Sequence, residues 1–335
     1  MDSEIPKMYD FEEMVFAINN EKSFETIALN VYRYQFNNNP IYGRYSTILG
    51  KTPEVVTNLG QIPFLPISFF KTHKIVTTVF EPELIFQSSG TTGLNSSFHY
   101  LKTRRIYENS FNRCFELFYG KIEQYAILGL LPSYLEKGNS SLVYMVNSLI
   151  EKSNHSESGF YLYDLENLFQ TLERLKKGKK KAILFGVTYA LLEFAEKYPG
   201  NFDNLIIIET GGMKGRGREL TRQELNAELR RSFGVTNIHS EYGMTELLSQ
   251  AYSIDGLFQC PPWMKILVRD ETDPLSLKAP GQAFSGALNI IDLANIYSCS
   301  FIATEDVGKL YTNGSFEVLG RMDNTDIRGC SLLTL

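Results

Sequence analysis

The sequence predicts an α/β protein, a parallel-rich sheet covered by helices with a smaller β-rich part behind it. Three observations carry this. Residues 125–131 (YAILGLL), 181–187 (KAILFGV) and 205–209 (LIIIE) are continuous apolar runs, as expected of strands buried on both faces. Segments of helical length and pattern separate them, and such alternation implies a parallel sheet. Beyond Gly256 the pattern changes to short apolar runs broken by Pro, Gly and Asp, which reads as antiparallel β-structure. The chain of 335 residues can bury a large core. On this reading it divides into an α/β core over 1–256 and a β-rich subdomain of the same unit over 257–335.

Taken in order, residues 10–35 form a helical segment, with Phe11, Met14, Val15, Ile18, Ile27 and Val31 near a 3.6-residue spacing. Asn37 to Asn39, Pro40 and Gly43 break it. Residues 62–70 (IPFLPISFF) are too rich in proline for a central strand and read as an extended segment packing aromatic rings. Residues 83–87 (ELIFQ) are a short buried strand leading into a Ser/Gly/Thr loop. Residues 104–118 and 140–150 read as helices. The strand at 181–187 leads into a helix through Tyr198. Residues 221–233 form a helix that Thr221 and Glu224 can open as a capping box. The later strands are placed at 265–269, 287–291, 300–303 and 316–319.

Composition narrows the function. The chain is 43% hydrophobic and 21% charged with a net charge of −5, which argues against a nucleic-acid protein. The run Lys176, Lys177, Lys179, Lys180 and Lys181 is either a solvated helix end or a docking patch for an acidic partner. Cys114, Cys260, Cys299 and Cys330 are scattered, and with four histidines they offer no zinc-type spacing. No apolar stretch reaches the roughly 18 residues of a membrane span. No signal peptide is expected at the N-terminus, and a reducing cytoplasm is the expected compartment.

Five motifs carry chemistry. The loop Ser88, Ser89, Gly90, Thr91, Thr92, Gly93 follows a strand directly. Its glycines allow close backbone approach, and its N–H groups and hydroxyls can surround phosphate oxygens. It is not a Walker A loop, and alone it also reads as a surface turn. Gly211 and Gly212 follow the strand at 205–209. Ligands in parallel sheets sit beyond the carboxyl ends of strands, so these two loops would face one crevice. Tyr242-Gly243-Met244-Thr245-Glu246 sets a hydroxyl beside a carboxylate, which suits a phosphate–magnesium site. In Thr304-Glu305-Asp306, a loop Asp can accept both hydroxyls of a ribose. Arg321, in Gly320-Arg321-Met322-Asp323, can add a charge-assisted hydrogen bond.

In this order, the five motifs resemble the adenylate-forming (acyl-CoA synthetase) superfamily. The segments 62–74 (IPFLPISFFKTHK), 131–146 (LPSYLEKGNSSLVYMV), 241–252 (EYGMTELLSQAY) and 323–333 (DNTDIRGCSLL) resemble its acyl-protein synthetase, or long-chain-fatty-acid–luciferin-component ligase, family. The likeness implies the fold of that superfamily's large N-terminal domain and, as cofactors, ATP and Mg²⁺. By the same likeness Ser88 to Gly93 would hold the ATP β- and γ-phosphates, and Gly211 and Gly212 would lie against adenine and acyl group. Tyr242 would stack near the adenine, Thr245 would contact the α-phosphate and Glu246 would bind Mg²⁺. Asp306 and Arg321 would hold the ribose, and Asp323 would mark the hinge.

Two departures bear on chemistry. Leu94-Asn95 follows the phosphate loop where many superfamily members carry a lysine. The sequence also runs only to Leu335, so the small C-terminal lid domain with its catalytic lysine is expected to be absent. Lys102 and His99 are candidate substitutes, or else strand residues facing solvent. The implied reaction activates a carboxylic acid, a fatty acid first, as an acyl-adenylate and passes the acyl group to a thiol. Cys330, beside Arg328, is one candidate acceptor, although a small residue packed in a last strand reads the same way. An acyl carrier protein, coenzyme A or a reductase subunit is the other. The alternative is a noncatalytic nucleotide-binding or scaffold subunit. A serine esterase is disfavoured because no GxSxG elbow occurs. Phe185, Tyr189 and residues 140–150 are candidates to line an acyl pocket.

Overall fold

The computed structural model describes residues 8–88, 96–131, 139–211, 220–270, 273, 275–278 and 283–322. The N-terminal region opens with α1 (Met8–Phe16), α2 (Glu21–Asn38) and α3 (Pro40–Ile48). The single helix expected over 10–35 is therefore interrupted. Asn20 accepts from Ser23 N while the Ser23 side chain returns to the Asn20 backbone, a reciprocal cap that starts α2 afresh. The polar cluster and proline expected to end the helical region instead begin α3. Asn39 caps Tyr42 N, and Pro40 sits in the first turn, where its missing N–H costs nothing.

The next elements are β1 (Leu65–Pro66), the short helix α4 (Phe69–Thr72), β2 (Leu84–Gln87) and β3 (Phe98–Leu101). β2 and β3 form an antiparallel hairpin apart from the main sheet. The strand read as buried at 83–87 is thus half of a two-stranded ribbon, and only Phe86 in it is buried.

The α/β part follows as α5 (Arg104–Tyr119), β4 (Tyr125–Leu130), α6 (Ser141–Ser153), β5 (Gly159–Phe160), α7 (Leu165–Lys177), β6 (Lys181–Val187), α8 (Thr188–Lys197), β7 (Leu205–Thr210), α9 (Arg222–Phe233) and β8 (Ile238–Tyr242). The strands lie in the order β5-β4-β6-β7-β8, and every pair is parallel. Every residue of β4 and all of β6 after Lys181 are buried, which explains their unbroken apolar runs. A side chain at Gly129 would meet Val146 of α6, and one at Gly186 would meet Leu191 of α8, so these helices cover opposite faces. Thr221 and Glu224 form the expected capping box at the start of α9.

Beyond β8 the same sheet turns antiparallel through β9 (Ala251–Ser253), β10 (Phe258–Gln259), β11 (Met264–Arg269), β12 (Phe284–Asp292), β13 (Phe301–Leu310) and β14 (Phe316–Arg321), in the spatial order β9-β10-β14-β13-β12-β11. The division drawn at residue 256 falls in the β9–β10 hairpin. β1 returns from the N-terminal region to pair in parallel with β13 at Ile302 and Ala303. No helix among the described residues is long and apolar enough to cross a membrane.

Candidate active site

The carboxyl ends of β7 and β8 lie side by side, with Thr210 opposite Glu241. Thr210 is followed by Gly211 at φ 76°, a left-handed backbone that favours glycine. Thr188 Oγ1 donates to the Gly211 carbonyl at 3.1 Å and also to the Glu209 carboxyl. Glu209 and Glu241 fall on opposite faces of the sheet. Glu209 faces α8, and burial raises its pKa. Glu241 lies on the α5 and α6 side and accepts from Thr210 Oγ1 at 2.5 Å. Burial, with repulsion from Glu209 behind it, lifts Glu241 to about 7. Its Oε1 lies only 2.4 Å from where a Cβ on Gly243 would stand, so the glycine of the YGMTE motif makes room for this carboxyl.

One register further, Tyr242 closes β8. Its hydroxyl donates to Asp306 Oδ2 at 2.7 Å, and Arg321 Nε lies 3.3 Å from Asp306 Oδ1. Asp306 and Arg321 are partners across β13 and β14. Asp306 therefore sits inside a strand, not in the loop expected from the sequence. Extended backbone alternates side chains and so aims this carboxylate at Tyr242. A carboxylate has about four acceptor sites, so two donors leave capacity for a ribose diol. Three of the sequence-predicted residues thus meet at one point.

The YGMTE segment is the end of a strand and a turn, and its last two residues are held from behind by buried polar groups. His99 Nδ1 bonds the Thr245 carbonyl at 2.7 Å, and Asn295 Nδ2 donates to the Glu246 carbonyl at 2.8 Å. His99 Nε2 faces the Asn295 carboxamide at 3.0 Å. Burial brings the imidazole pKa down to about 4, against the opposing pull of its hydrogen bonds to Thr245 and Asn295. Asp292 accepts from Leu248 N at 2.7 Å, Ser249 N at 3.0 Å and Ser249 Oγ at 2.6 Å. His99 is therefore part of the site as a support of the turn, and it does not face solvent. Sequence reasoning passed over Asp292 and Asn295. The one signal was two polar residues set in an otherwise apolar stretch, IIDLANIY.

Glu246 itself is 5% exposed. Burial raises its pKa, while a hydrogen bond from Ser97 and the charges of Lys71 and Arg321 favour the ionised form. No described residue forms an ion pair with it. A buried carboxylate so placed fits a hard divalent cation. Among the described residues no group of three His, Cys, Asp or Glu side chains is clustered for a metal, so such a cation would take its remaining oxygens from phosphate and water.

The β2–β3 hairpin brings Ser88, the first residue of the phosphate-loop candidate, to the same place. Ser88 N donates to Ser97 O at 3.0 Å, and Ser97 N donates to Ser88 Oγ at 2.8 Å, which closes the neck of the loop. Ser97 is the residue that bonds Glu246. Ser89, Gly90, Thr91, Thr92 and Gly93 lie outside the described residues, as do Gly212, Asp323, Arg328 and Cys330. Lys102 does not turn to Glu246; its ammonium lies 4.7 Å over the Tyr297 ring. Phe185 is wholly buried in the sheet, and Tyr189 borders a separate cavity of about 270 Å³ with Leu162 and Tyr198. The lysine run 176–181 stands at the amino end of β6, whereas the crevice lies beyond the carboxyl ends of the strands.

A family model described as acyl-protein synthetase, LuxE, matches residues 8–334. A curated relative, the long-chain-fatty-acid–luciferin-component ligase of Vibrio harveyi, is 26% identical over 333 residues, covering 91% of this chain and 85% of the relative. Among solved structures, ATP-bound MatB from Rhodopseudomonas palustris matches with a TM-score of 0.54 at 18% identity over 73% of this chain, which spans 50% of that protein's length. A 2-hydroxyisobutyryl-CoA ligase in an open conformation with 2-HIB-AMP and CoA matches with a TM-score of 0.66 at 12% identity, covering 91% of this chain and 76% of that one. At such identities these two likenesses establish the fold.

Proposed function

The chain belongs to the acyl-protein synthetase family, and from that premise we propose that it activates a carboxylic acid with ATP and transfers the acyl group to a thiol. The observation that supports this most directly is the meeting of Tyr242, Asp306 and Arg321 beside the Thr245–Glu246 turn. A noncatalytic scaffold has no need of a ribose-type acceptor next to a buried carboxylate that has no ion-pair partner among the described residues.

In the first step a carboxylate oxygen attacks the α-phosphorus of ATP. The bond from that phosphorus to the bridging oxygen breaks, and pyrophosphate leaves. Asp306 and Arg321 would fix the ribose, with Tyr242 beside the base. Thr245 would present its hydroxyl to the α-phosphate, and residues 88–93 would hold the β- and γ-phosphates. Glu246 would hold Mg²⁺, which supplies charge neutralisation when bound. The contribution of such a site is alignment and preset charge. In the second step a thiolate attacks the acyl carbonyl, AMP leaves with the electron pair of the broken C–O bond, and the thiol proton goes to solvent.

The name of the Vibrio harveyi relative favours a long-chain fatty acid as the substrate. Cys330 is our proposed first acceptor, and a carrier protein, coenzyme A or a reductase subunit is the next recipient. Cys114, Cys260 and Cys299 are free thiols. The test is pyrophosphate release from ATP across acids from acetate to palmitate. Release that requires an acid, greatest for long chains, is the expected result. ATP binding without release for any acid would replace this reading with the scaffold one. If Cys330 takes the acyl group, Cys330→Ser abolishes covalent labelling by radioactive fatty acid plus ATP while pyrophosphate release persists.

A further inference from the structure

We propose that Lys71 is the cation that contacts the β- and γ-phosphates of ATP in this chain; the inference rests on the ATP-dependent reading above. The stretch between Lys74 and Lys102, which contains the whole phosphate loop, has neither lysine nor arginine. Hydroxyls and backbone N–H groups can order a triphosphate, and Mg²⁺ held by Glu246 would offset part of its charge. A side-chain cation for the terminal phosphates has to come from outside this stretch.

The packing brings the Lys71 charge within electrostatic reach of Glu246. It lies on α4, directly after the β1 segment, and Ile67 N donates to Ala303 O at 2.9 Å, three residues before Asp306. Phe70 is fully buried, and its ring meets His99 edge-on at 6.1 Å. His99 stands on β3, the returning strand of the phosphate-loop hairpin, and bonds the Thr245 carbonyl. Phe69 stacks on His73 at 5.1 Å and meets Tyr45 at 5.8 Å. The two phenylalanines anchor the helix on the hairpin and the N-terminal helices, and Lys71, the next residue, is exposed. Its charge bears on the Glu246 carboxyl, as does that of Arg321.

The neighbouring lysines point elsewhere. Lys74 lies 5.1 Å over the Tyr100 ring, and Lys102 lies 4.7 Å over Tyr297. Among the described residues Lys71 forms no ion pair that binding would have to break. Its stem is long enough to follow phosphates as they move, which a lysine does better than the planar fork of arginine.

The test uses 5′-p-fluorosulfonylbenzoyl adenosine, whose sulfonyl fluoride reaches where the terminal phosphates of ATP would lie. The Lys71 amine attacks sulfur, fluoride leaves, and a sulfonamide forms with loss of a proton. Peptide mapping of the wild-type protein should find the label on Lys71, and ATP should protect it. Lys71→Met should lose the label and weaken ATP binding or pyrophosphate release about 10- to 100-fold, as expected for a charge-assisted contact. Lys71→Arg should recover at least part of that loss. Because Lys71 is exposed, both variants should melt close to the wild-type temperature. Label on Lys74 or Lys102, no label at Lys71, or unchanged ATP affinity and turnover in Lys71→Met each overturn the proposal. If the wild type releases no pyrophosphate with any acid, the activity reading fails, while labelling and ATP affinity still decide the role of Lys71.

Discussion

The Thr245–Glu246 turn is approached by two unlike sets of polar groups. Behind it lie His99 and Asn295, hydrogen-bonded to its carbonyls, and Asp292, which holds Leu248 N and Ser249 N just after it; all three are almost wholly buried. In front of it are Lys71 and Arg321, exposed cations that act on its carboxylate at longer range. The first set fixes where the turn is. The second sets what charge can come to it. Buried polar groups without partners cost far more than exposed ones, so errors in the first set should appear as lost stability. Errors in the second should appear as lost ligand binding in a protein that still folds.

The largest expected effect tests the buried side. Asp292→Ala leaves Leu248 N, Ser249 N and Ser249 Oγ without their acceptor. Each orphaned buried donor costs about 1–3 kcal/mol, so a loss on the order of 4 kcal/mol is expected in a urea titration. Asp292→Asn keeps one acceptor oxygen and should cost roughly half as much. A loss below about 1 kcal/mol for Asp292→Ala would show that the turn does not depend on this support.

The second expected effect concerns Glu241, whose pKa in the folded state, about 7, stands above the usual carboxylate value. The folded protein therefore binds a proton more tightly than the unfolded chain. The favourable contribution is complete below the unfolded value near 4.5 and is lost as pH rises through 7. Stability should fall on the order of 2–3 kcal/mol between pH 5 and pH 8 from this group. Glu209 is shifted in the same direction and adds to the trend. Glu241→Gln keeps an acceptor for Thr210 and cannot titrate, so its denaturation midpoints should change less with pH than those of the wild type. Identical pH slopes in the two proteins would show that Glu241 does not titrate with a raised pKa in the folded protein.

The two sets were not equally legible in the sequence. β4, β6 and β7 could be read directly because parallel strands buried on both faces carry near-continuous apolar runs. The Thr221–Glu224 cap was legible because its partners are three residues apart. Residues 83–87 carry the same apolar signal as a sheet strand, yet β2 pairs only with β3, and pairing partners are set by the whole fold. Asn39 looked like a break because a capping Asn and a loop Asn have the same local sequence, and Asn20 was passed over inside a segment read as one helix. Asp306 looked like a loop residue because Thr304-Glu305-Asp306 is polar, although its strand pairs on both edges. The support behind the turn was not legible at all. Asp292 and Asn295 lie 44 and 49 positions from the groups they hold, and no local pattern encodes such a distance. The front set was half legible: Arg321 came with its motif, whereas Lys71 depends on where β1 docks.

Arg321 should show the smallest stability effect and so sharpens the contrast most. Its side chain is 81% exposed, and its 3.3 Å contact with Asp306 is a surface ion pair. Such pairs contribute about 0–1 kcal/mol, because solvent screens them and a long side chain must be ordered to make them. Arg321→Ala should therefore unfold within about 0.5 kcal/mol of the wild type in the same urea titration. Asp306 would keep its bond from Tyr242, so the ribose acceptor would still be aimed. ATP affinity, measured by calorimetry, should nevertheless fall about 3- to 10-fold, since the nucleotide loses a charge-assisted partner in a site it helps to desolvate. The loss should shrink at high salt if Arg321 acts mainly by charge, and persist if it donates a directed hydrogen bond. A large stability loss with unchanged affinity would place Arg321 with Asp292 as a support and erase the division between the back and the front of the turn.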